Sequence, residues 1–229
     1  MLRLPDVTLV AVDAVCHDLL RLSLEQCLSC AEFADVVILS DRDIGIGRHM
    51  PCEARTMAQV QELMWYAVPR EVRSTHFLIA QWDSWITHPE LWRDEWLTYD
   101  YIGAPWPFHQ ELAVGNGGFS LRSARLTRFV AEHKNEIDLT WPEDSALCRT
   151  HRRFLESCGF RWAPDEVASS FSFEHTPPHA TFGFHGMFNW PHVLSEDQIA
   201  ERISAAPPYV LASPQYQLML ERLLCGALS

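Results

Sequence analysis

The chain of 229 residues is short of positive charge: 18 Lys and Arg stand against 30 Asp and Glu, a formal net charge of -12. Long nucleic acids and anionic membrane surfaces both need clustered basic groups, so neither is an expected partner. One small nucleotide remains compatible, because a divalent cation neutralises a diphosphate locally. No apolar run approaches the length of a membrane span. MLRLP leads straight into a strand pattern with no apolar h-region, so no secretory leader is expected. There is no GxGxxG in the first strand-to-helix turn, which removes the dinucleotide fingerprint. Repeats and low-complexity tracts are absent too.

Cysteine is present but unpaired in pattern. Cys16, Cys27, Cys30, Cys52, Cys148, Cys158 and Cys225 are odd in number and scattered through apolar contexts. Reduced thiols in the cytoplasm are the expectation. Cys27 and Cys30 form a single CxxC in a leucine-rich helical pattern, and zinc would need a second pair.

What the chain has in quantity is aromatic residues, with nine Trp and twelve Phe. Such rings fill cores, and they also make flat walls for sugars and bases. Hydrophobic content of 48% and 21% charged residues suit one large globular domain.

Val7 to Val12 reads as a buried strand ending at Asp13, Asp18 to Cys30 as an amphipathic helix, and Ala34 to Leu39 as a second strand ending at Ser40-Asp41. This β-α-β start is the grammar of a parallel sheet with right-handed crossovers. Residues 42 to 51 read as a loop, Met57 to Tyr66 as a helix, and Val68 to Ser74 as a connector. Phe77 to Ala80 is a central strand that ends at Gln81-Trp82-Asp83. Ligands of open α/β sheets bind beyond the carboxyl ends of strands. Asp83 therefore lies where a nucleotide-bound metal would sit, or else it simply caps a turn.

Further on, Pro89 opens a helix and Tyr99 to Pro107 ends a short strand in a proline-stiffened loop. Gly115, Gly117 and Gly118 permit a close backbone approach to a ligand, although Asn116-Gly117 is also a hairpin signal. Ser123 caps a helix to Lys134. Trp141-Pro142-Glu143-Asp144 opens a helix reaching about Cys158, in which both acids can act as N-terminal caps. Phe160 to Ala163 and Ala168 to Phe173 look strand-like. Phe182 to Gly186 closes the ordered core. Two amphipathic helices, 195 to 205 and about 213 to 225, follow as an appendage that packs on the domain or on a protein partner.

The strings Gln81-Trp82-Asp83, DYIGAPW (100–106), GNGGFSLRS (115–123), Glu143-Asp144 and FGFHG (182–186) resemble a bacterial family of largely uncharacterised proteins. That family is regarded as GT-A-type glycosyltransferases found among genes for surface polysaccharides. The resemblance implies an α/β fold: a GT-A-like, Rossmann-like mixed sheet flanked by helices over residues 1–192, with a helical extension over 193–229. It implies transfer of a sugar from a nucleotide-diphosphate donor to a glycan or lipid-linked acceptor, assisted by Mn²⁺ or Mg²⁺. A lipid-linked acceptor would bring the protein to the inner face of the membrane.

The usual metal motif of GT-A enzymes is Asp-x-Asp, and Gln81 stands at its first position, so Asp83 is the charged ligand expected from it. Few protein ligands are needed where phosphates and water complete the octahedron. Many GT-A enzymes bring a C-terminal histidine to the metal, a position that His185 fits; a core histidine is the alternative. Glu143-Asp144 resembles the pair that supplies the base in several inverting GT-A families, so Asp144 is the expected base, with Glu143 holding the acceptor or the loop. Asn116, Gly117 and Gly118 would shape the donor-sugar pocket, with Trp82, Trp85 and Trp106 as walls. Arg122 would assist the leaving diphosphate. Asp13, Ser40 and Asp41 would hold the nucleoside, and Gln81 would face the donor. Two rival readings stay open: a nucleotide-sugar hydrolase, and a catalytically silent glycan- or nucleotide-binding module.

Overall fold

The structure is a computed structural model and describes residues 1–138 and 142–226. Its centre is a six-stranded mixed sheet. In chain order the strands of the molecule are β1 (Leu2–Val12), β2 (Ala31–Ser40), β3 (Arg48–Pro51), β4 (His76–Ala80), β5 (Trp85–Ile86), β6 (Tyr101–Gly103), β7 (Phe119–Ser123), β8 (Ser172–Phe173) and β9 (Gly183–Phe184). The large sheet runs β3-β2-β1-β4-β7-β6, and a small second sheet runs β5-β9-β8. β1 to β4 are mutually parallel, whereas β7 is antiparallel to both β4 and β6.

The central strands are apolar without a break because both faces are covered. Leu9, Ala11, Leu78 and Ala80 pack to one side against Leu19, Leu20 and Leu24 of helix α1 (His17–Cys30). Val10, Phe77 and Ile79 pack to the other side, with Met64 of helix α2 (Met57–Tyr66) and with Val68. The alternation of neighbours along β1 and β4 is the period-two pattern of a strand. All four parallel strands deliver their carboxyl ends to one edge, and that edge carries the site.

Five segments differ from the sequence-based expectation. Phe160–Ala163, expected as strand, makes among the described residues only the single bridge of Trp162 to Tyr101. Arg48–Pro51, expected as loop, is a strand on β2, pinned where Arg48 bonds Asp35 and Glu71. The connector after α2 begins with a helical turn, Val68–Glu71. Of Ala168–Phe173, expected as strand, the part to Phe171 ends the helix Asp165–Phe171, with Asp165 and Glu166 in its first turn after Pro164, and only Ser172–Phe173 pairs as strand. The helix expected from 141 to 158 is broken into Glu143–Ser145, a wide π-turn at Ala146–Thr150, and Arg152–Ser157. Ala146, Leu147 and Cys148 are all fully buried, a wider arc than the stripe of a surface helix provides. Trp141 lies outside the described residues.

Beyond residue 195 come the helices Glu196–Ala205 and Pro214–Gly226, with a helical turn Pro208–Leu211 between them. They are anchored on the sheet domain. Ile199, Val210 and Met219 enter its core, and the Arg202 guanidinium lies 4.0 Å from the Trp85 ring centroid and bonds Ser23. Among the described residues no helix is long and apolar enough to cross a membrane.

Candidate active site

At the end of β4 the chain turns sharply through Gln81-Trp82-Asp83-Ser84. The Ser84 hydroxyl donates to the Gly118 carbonyl at 2.8 Å, and the Gln81 N–H donates to Ser84 Oγ at 2.8 Å. Because β4 and β7 are antiparallel with Ala80 opposite Phe119, this turn lies beside the glycine loop that precedes β7.

The small sheet then assembles three acid and imidazole groups. β8 and β9 are parallel with Phe173 opposite Phe184, so the next residues, Glu174 and His185, leave the sheet side by side. β5 pairs with β9 with Trp85 opposite Phe184, which brings Asp83, two residues earlier, to the same end. Nε2 of His185 is 3.4 Å from Oδ1 of Asp83 and 3.2 Å from Oε1 of Gln81. Nδ1 is 2.7 Å from Oε1 of Glu174. The Asn116 amide nitrogen lies 2.9 Å from the same Nδ1. Both nitrogens carry hydrogen when Glu174 is their shared acceptor. Asp83 is almost wholly buried; its Oδ2 accepts from the Met187 N–H at 3.3 Å, whereas Oδ1 has no well-aligned hydrogen bond.

Burial alone would depress the His185 pKa, but the charges of Asp83 and Glu174 hold it well above the ordinary histidine value. Burial pushes Glu174 up, but the charge and hydrogen bond of His185, together with His175 and Asn116, outweigh it and leave Glu174 below its usual range.

Two cavities open at this edge and share Val12, Val60 and Gln81. The first, of about 370 Å³, is lined by Asp13, Arg55, Thr56, Trp82 and Tyr209 among others. The second, of about 180 Å³, is lined by Gly117, Gly118, Glu143, Asp144 and His185, with Gln61 and Met64 from α2. Asp144 accepts from the Gly117 N–H at 3.1 Å and the Ser145 N–H at 2.7 Å. Burial, and then the Glu143 charge, raise its pKa above that of an ordinary aspartate. Glu143 is held bidentate by Arg122, at 2.6 and 2.8 Å. Burial would lower the Arg122 pKa, but the charge and hydrogen bonds of Glu143, together with Tyr101 and Cys148, raise it beyond its usual value.

Of the residues singled out by sequence, Asp13, Gln81, Trp82, Gly117, Gly118, Glu143, Asp144 and His185 line one or both cavities. The others stand behind them. Asp83 lines neither cavity and backs the His185 ring. Asn116 also backs His185, its own backbone in the left-handed region at φ 60°. Arg122 is 1% exposed with its guanidinium committed to Glu143, which turns it away from a leaving diphosphate. Ser40 is buried in the sheet, and Asp41 bonds His17 and Arg55, reaching the first cavity only through Arg55. Trp85 and Trp106 are core rings rather than cavity walls.

Sequence reasoning missed Glu174, Arg55 and Tyr209. Glu174 follows a two-residue strand, too short for any periodicity to mark. Tyr209 belongs to an extension whose place over the edge no local pattern reveals.

A cation fits this site in one specific sense. Among the described residues four carboxylates (Asp83, Glu143, Asp144, Glu174) gather around Arg122 and His185, both already paired, with His175 at 3.5 Å from Glu174, and the buried Oδ1 of Asp83 has no well-aligned hydrogen bond. Added positive charge would offset these carboxylates towards an anionic ligand. The protein supplies few ligands: among the described residues no three His, Cys, Asp or Glu groups form a metal cage. Asp83 and His185, with the Gln81 carbonyl oxygen, would hold a Mg²⁺ or Mn²⁺ whose remaining ligands come from phosphate and water.

A family model described as a protein of unknown function, DUF5672, matches residues 57–185, more than half of the chain. The chain belongs to the DUF5672 family. The matched segment of this DUF5672 protein runs from α2 through the Gln81–Asp83 turn and the glycine loop to His185. No curated protein matches the chain. Its fold is similar to the crystal structure of a glycosyltransferase involved in the glycosylation of the major capsid of PBCV-1, with TM-score 0.54 and 12% identity over 86% of this chain and 98% of the other. Two further structures are more distant. The mannosyltransferase PcManGT from Pyrobaculum calidifontis, in complex with GDP-Man and Mn²⁺, has TM-score 0.49 and 13% identity over 94% of this chain and 68% of that one. The apo-form glycosyltransferase GlyE of Streptococcus pneumoniae TIGR4 has TM-score 0.47 and 11% identity over 94% and 62%. The DUF5672 chain thus has a GT-A-like fold.

Proposed function

We propose that this protein transfers a sugar from a nucleoside-diphosphate donor to a hydroxyl of a glycan or lipid-linked acceptor, with inversion, in surface-polysaccharide synthesis. The observation that carries the reading is a pair of adjacent cavities at the carboxyl edge of the sheet that share Val12, Val60 and Gln81. Asp144 and His185 line the inner of the two.

Asp144 is the general base. Its carboxylate takes the proton of the acceptor hydroxyl as the oxygen attacks the anomeric carbon and the bond from that carbon to the diphosphate oxygen breaks. Its raised pKa suits a proton acceptor working near neutrality better than an ordinary aspartate would. Glu143, clamped by Arg122, fixes the loop that carries Asp144. Gly117 and Gly118 line the donor-sugar pocket, their missing Cβ atoms making room for Glu143 and the His185 ring. Asp83 and His185 would hold the divalent cation, with Glu174 orienting the imidazole through Nδ1. When bound, such an ion supplies Lewis-acid stabilisation of the charge on the leaving diphosphate.

The test is a screen of nucleotide sugars with Mn²⁺, with and without glycan acceptors, scored by release of nucleoside diphosphate. The expected result is release that rises when acceptor is added. Release indifferent to acceptor would point to a hydrolase. No release from any donor would point to a silent binding module.

A further inference from the structure

The outer cavity is closed by a residue from outside the sheet domain. Among the described residues that line it, Tyr209 alone comes from beyond residue 190. It stands on the turn Pro208–Leu211, whose Val210 is 2% exposed and fixes the turn to the core. Its hydroxyl lies 2.7 Å from Sγ of Cys16, at the start of α1. The side chain thus links the extension to the start of α1 at the cavity, 52% exposed and lining the same space as Trp82.

A nucleotide-sugar is linear: nucleoside, diphosphate, sugar. The sugar must meet Asp144 in the inner cavity, and the diphosphate must pass Gln81, which both cavities share. The nucleoside then has only the outer cavity to occupy. At about 370 Å³ that space is within the range of small-molecule sites. Asp13 is suited to a ribose or base: Oδ1 takes the Val15 and Cys16 N–H groups, both at 2.6 Å, leaving Oδ2 to accept from a ligand. Aromatic rings on such a wall bind bases of any identity through their π-faces.

We infer that Tyr209 is an aromatic wall of the donor's nucleoside site, so that the C-terminal extension completes the donor pocket. The inference rests on the transferase reading above.

The test is calorimetric titration, with Mn²⁺ present, of UDP, GDP, ADP, CDP and dTDP, and of inorganic pyrophosphate as the base-free probe. Tyr209→Ala is expected to weaken the preferred nucleoside diphosphate about tenfold or more and to leave pyrophosphate unchanged. Tyr209→Phe, which keeps the ring and loses the bond to Cys16, is expected to bind the nucleotide as the wild type does. A misfolded variant loses pyrophosphate as well; Tyr209→Leu is then read in the same way. Equal nucleotide affinity in wild type and Tyr209→Ala overturns this inference alone. If the wild type binds pyrophosphate but no nucleoside diphosphate, the inference fails together with the donor reading.

Discussion

Oε1 of Glu174 stands 2.7 Å from Nδ1 of His185, while Nε2 of the same ring looks towards Asp83 and Gln81. One carboxylate therefore orients the ring at Nδ1, and Nε2 is left between buried Asp83 and Gln81, the second of which lines both cavities. This is the arrangement of a histidine ligand supported by an outer carboxylate. Glu174→Gln keeps the shape and removes the charge. We expect it to lower Mn²⁺ affinity about tenfold to 100-fold, with the fold intact. Calorimetric Mn²⁺ titration in the presence of a nucleoside diphosphate checks this, and an unchanged affinity would show that Glu174 does not orient the ligand.

Asp144 ties activity and stability to pH with opposite signs. Its pKa is raised in the folded protein, chiefly by burial. As a base it must be ionised, so kcat is expected to fall with decreasing pH along a limb displaced above the ordinary aspartate value. The same shift means that the folded state favours the protonated form. The stabilising contribution is full below the unfolded pKa and is lost as pH rises through the folded one. Asp144→Asn is thus expected to abolish transfer while retaining donor binding, and to flatten this part of the stability profile. A kcat–pH curve and melting temperatures across pH, wild type against variant, measure both.

Arg122 carries a structural prediction. It is 1% exposed, bonds Glu143 bidentately, and lies 4.9 Å from the Tyr101 ring centroid. Arg122→Met would leave Glu143 as an unpaired, largely buried carboxylate, at a cost of about 3–5 kcal/mol. Urea unfolding is the measurement; a loss below about 1 kcal/mol would mean that the pair is replaceable by packing.

Gly118 is required by close approach rather than by its backbone angle. A Cβ added there would overlap the His185 ring itself. Gly118→Ala is therefore expected to displace the imidazole and to reduce cation-dependent donor binding about as much as removing His185 does. A matched comparison with His185→Ala by calorimetry decides it, and full binding by Gly118→Ala would show that the ring has room to move.

Much of the frame is legible in the residues. The apolar runs at β1, β2 and β4 mark a sheet covered on both faces, and the ends of these strands mark where ligands would gather. Gly117 and Gly118 stand out by type, Glu143, Asp144 and His185 through the resemblance to GT-A glycosyltransferases, and the five meet at one cavity. What stayed hidden depends on contacts distant in sequence. Glu174 is adjacent to His185 only because Phe173 and Phe184 share a register in two-residue strands. Arg122 reads as a basic group for a diphosphate until its bidentate partner is seen. Ala168–Phe173 reads as strand because its buried Ala168 and Phe171 carry no helical period over so short a span, although up to Phe171 it belongs to a helix.

The central claim is that Asp83 and His185 serve one cation in a crevice built for a nucleoside diphosphate. Titration of UDP and GDP into wild type and Asp83→Ala, each with Mn²⁺ and with chelator, tests it most directly. The account predicts tight binding only for wild type with Mn²⁺, and its loss on chelation or on removal of the carboxylate. Nucleotide binding that is equal in all four conditions, or absent in all four, would contradict it.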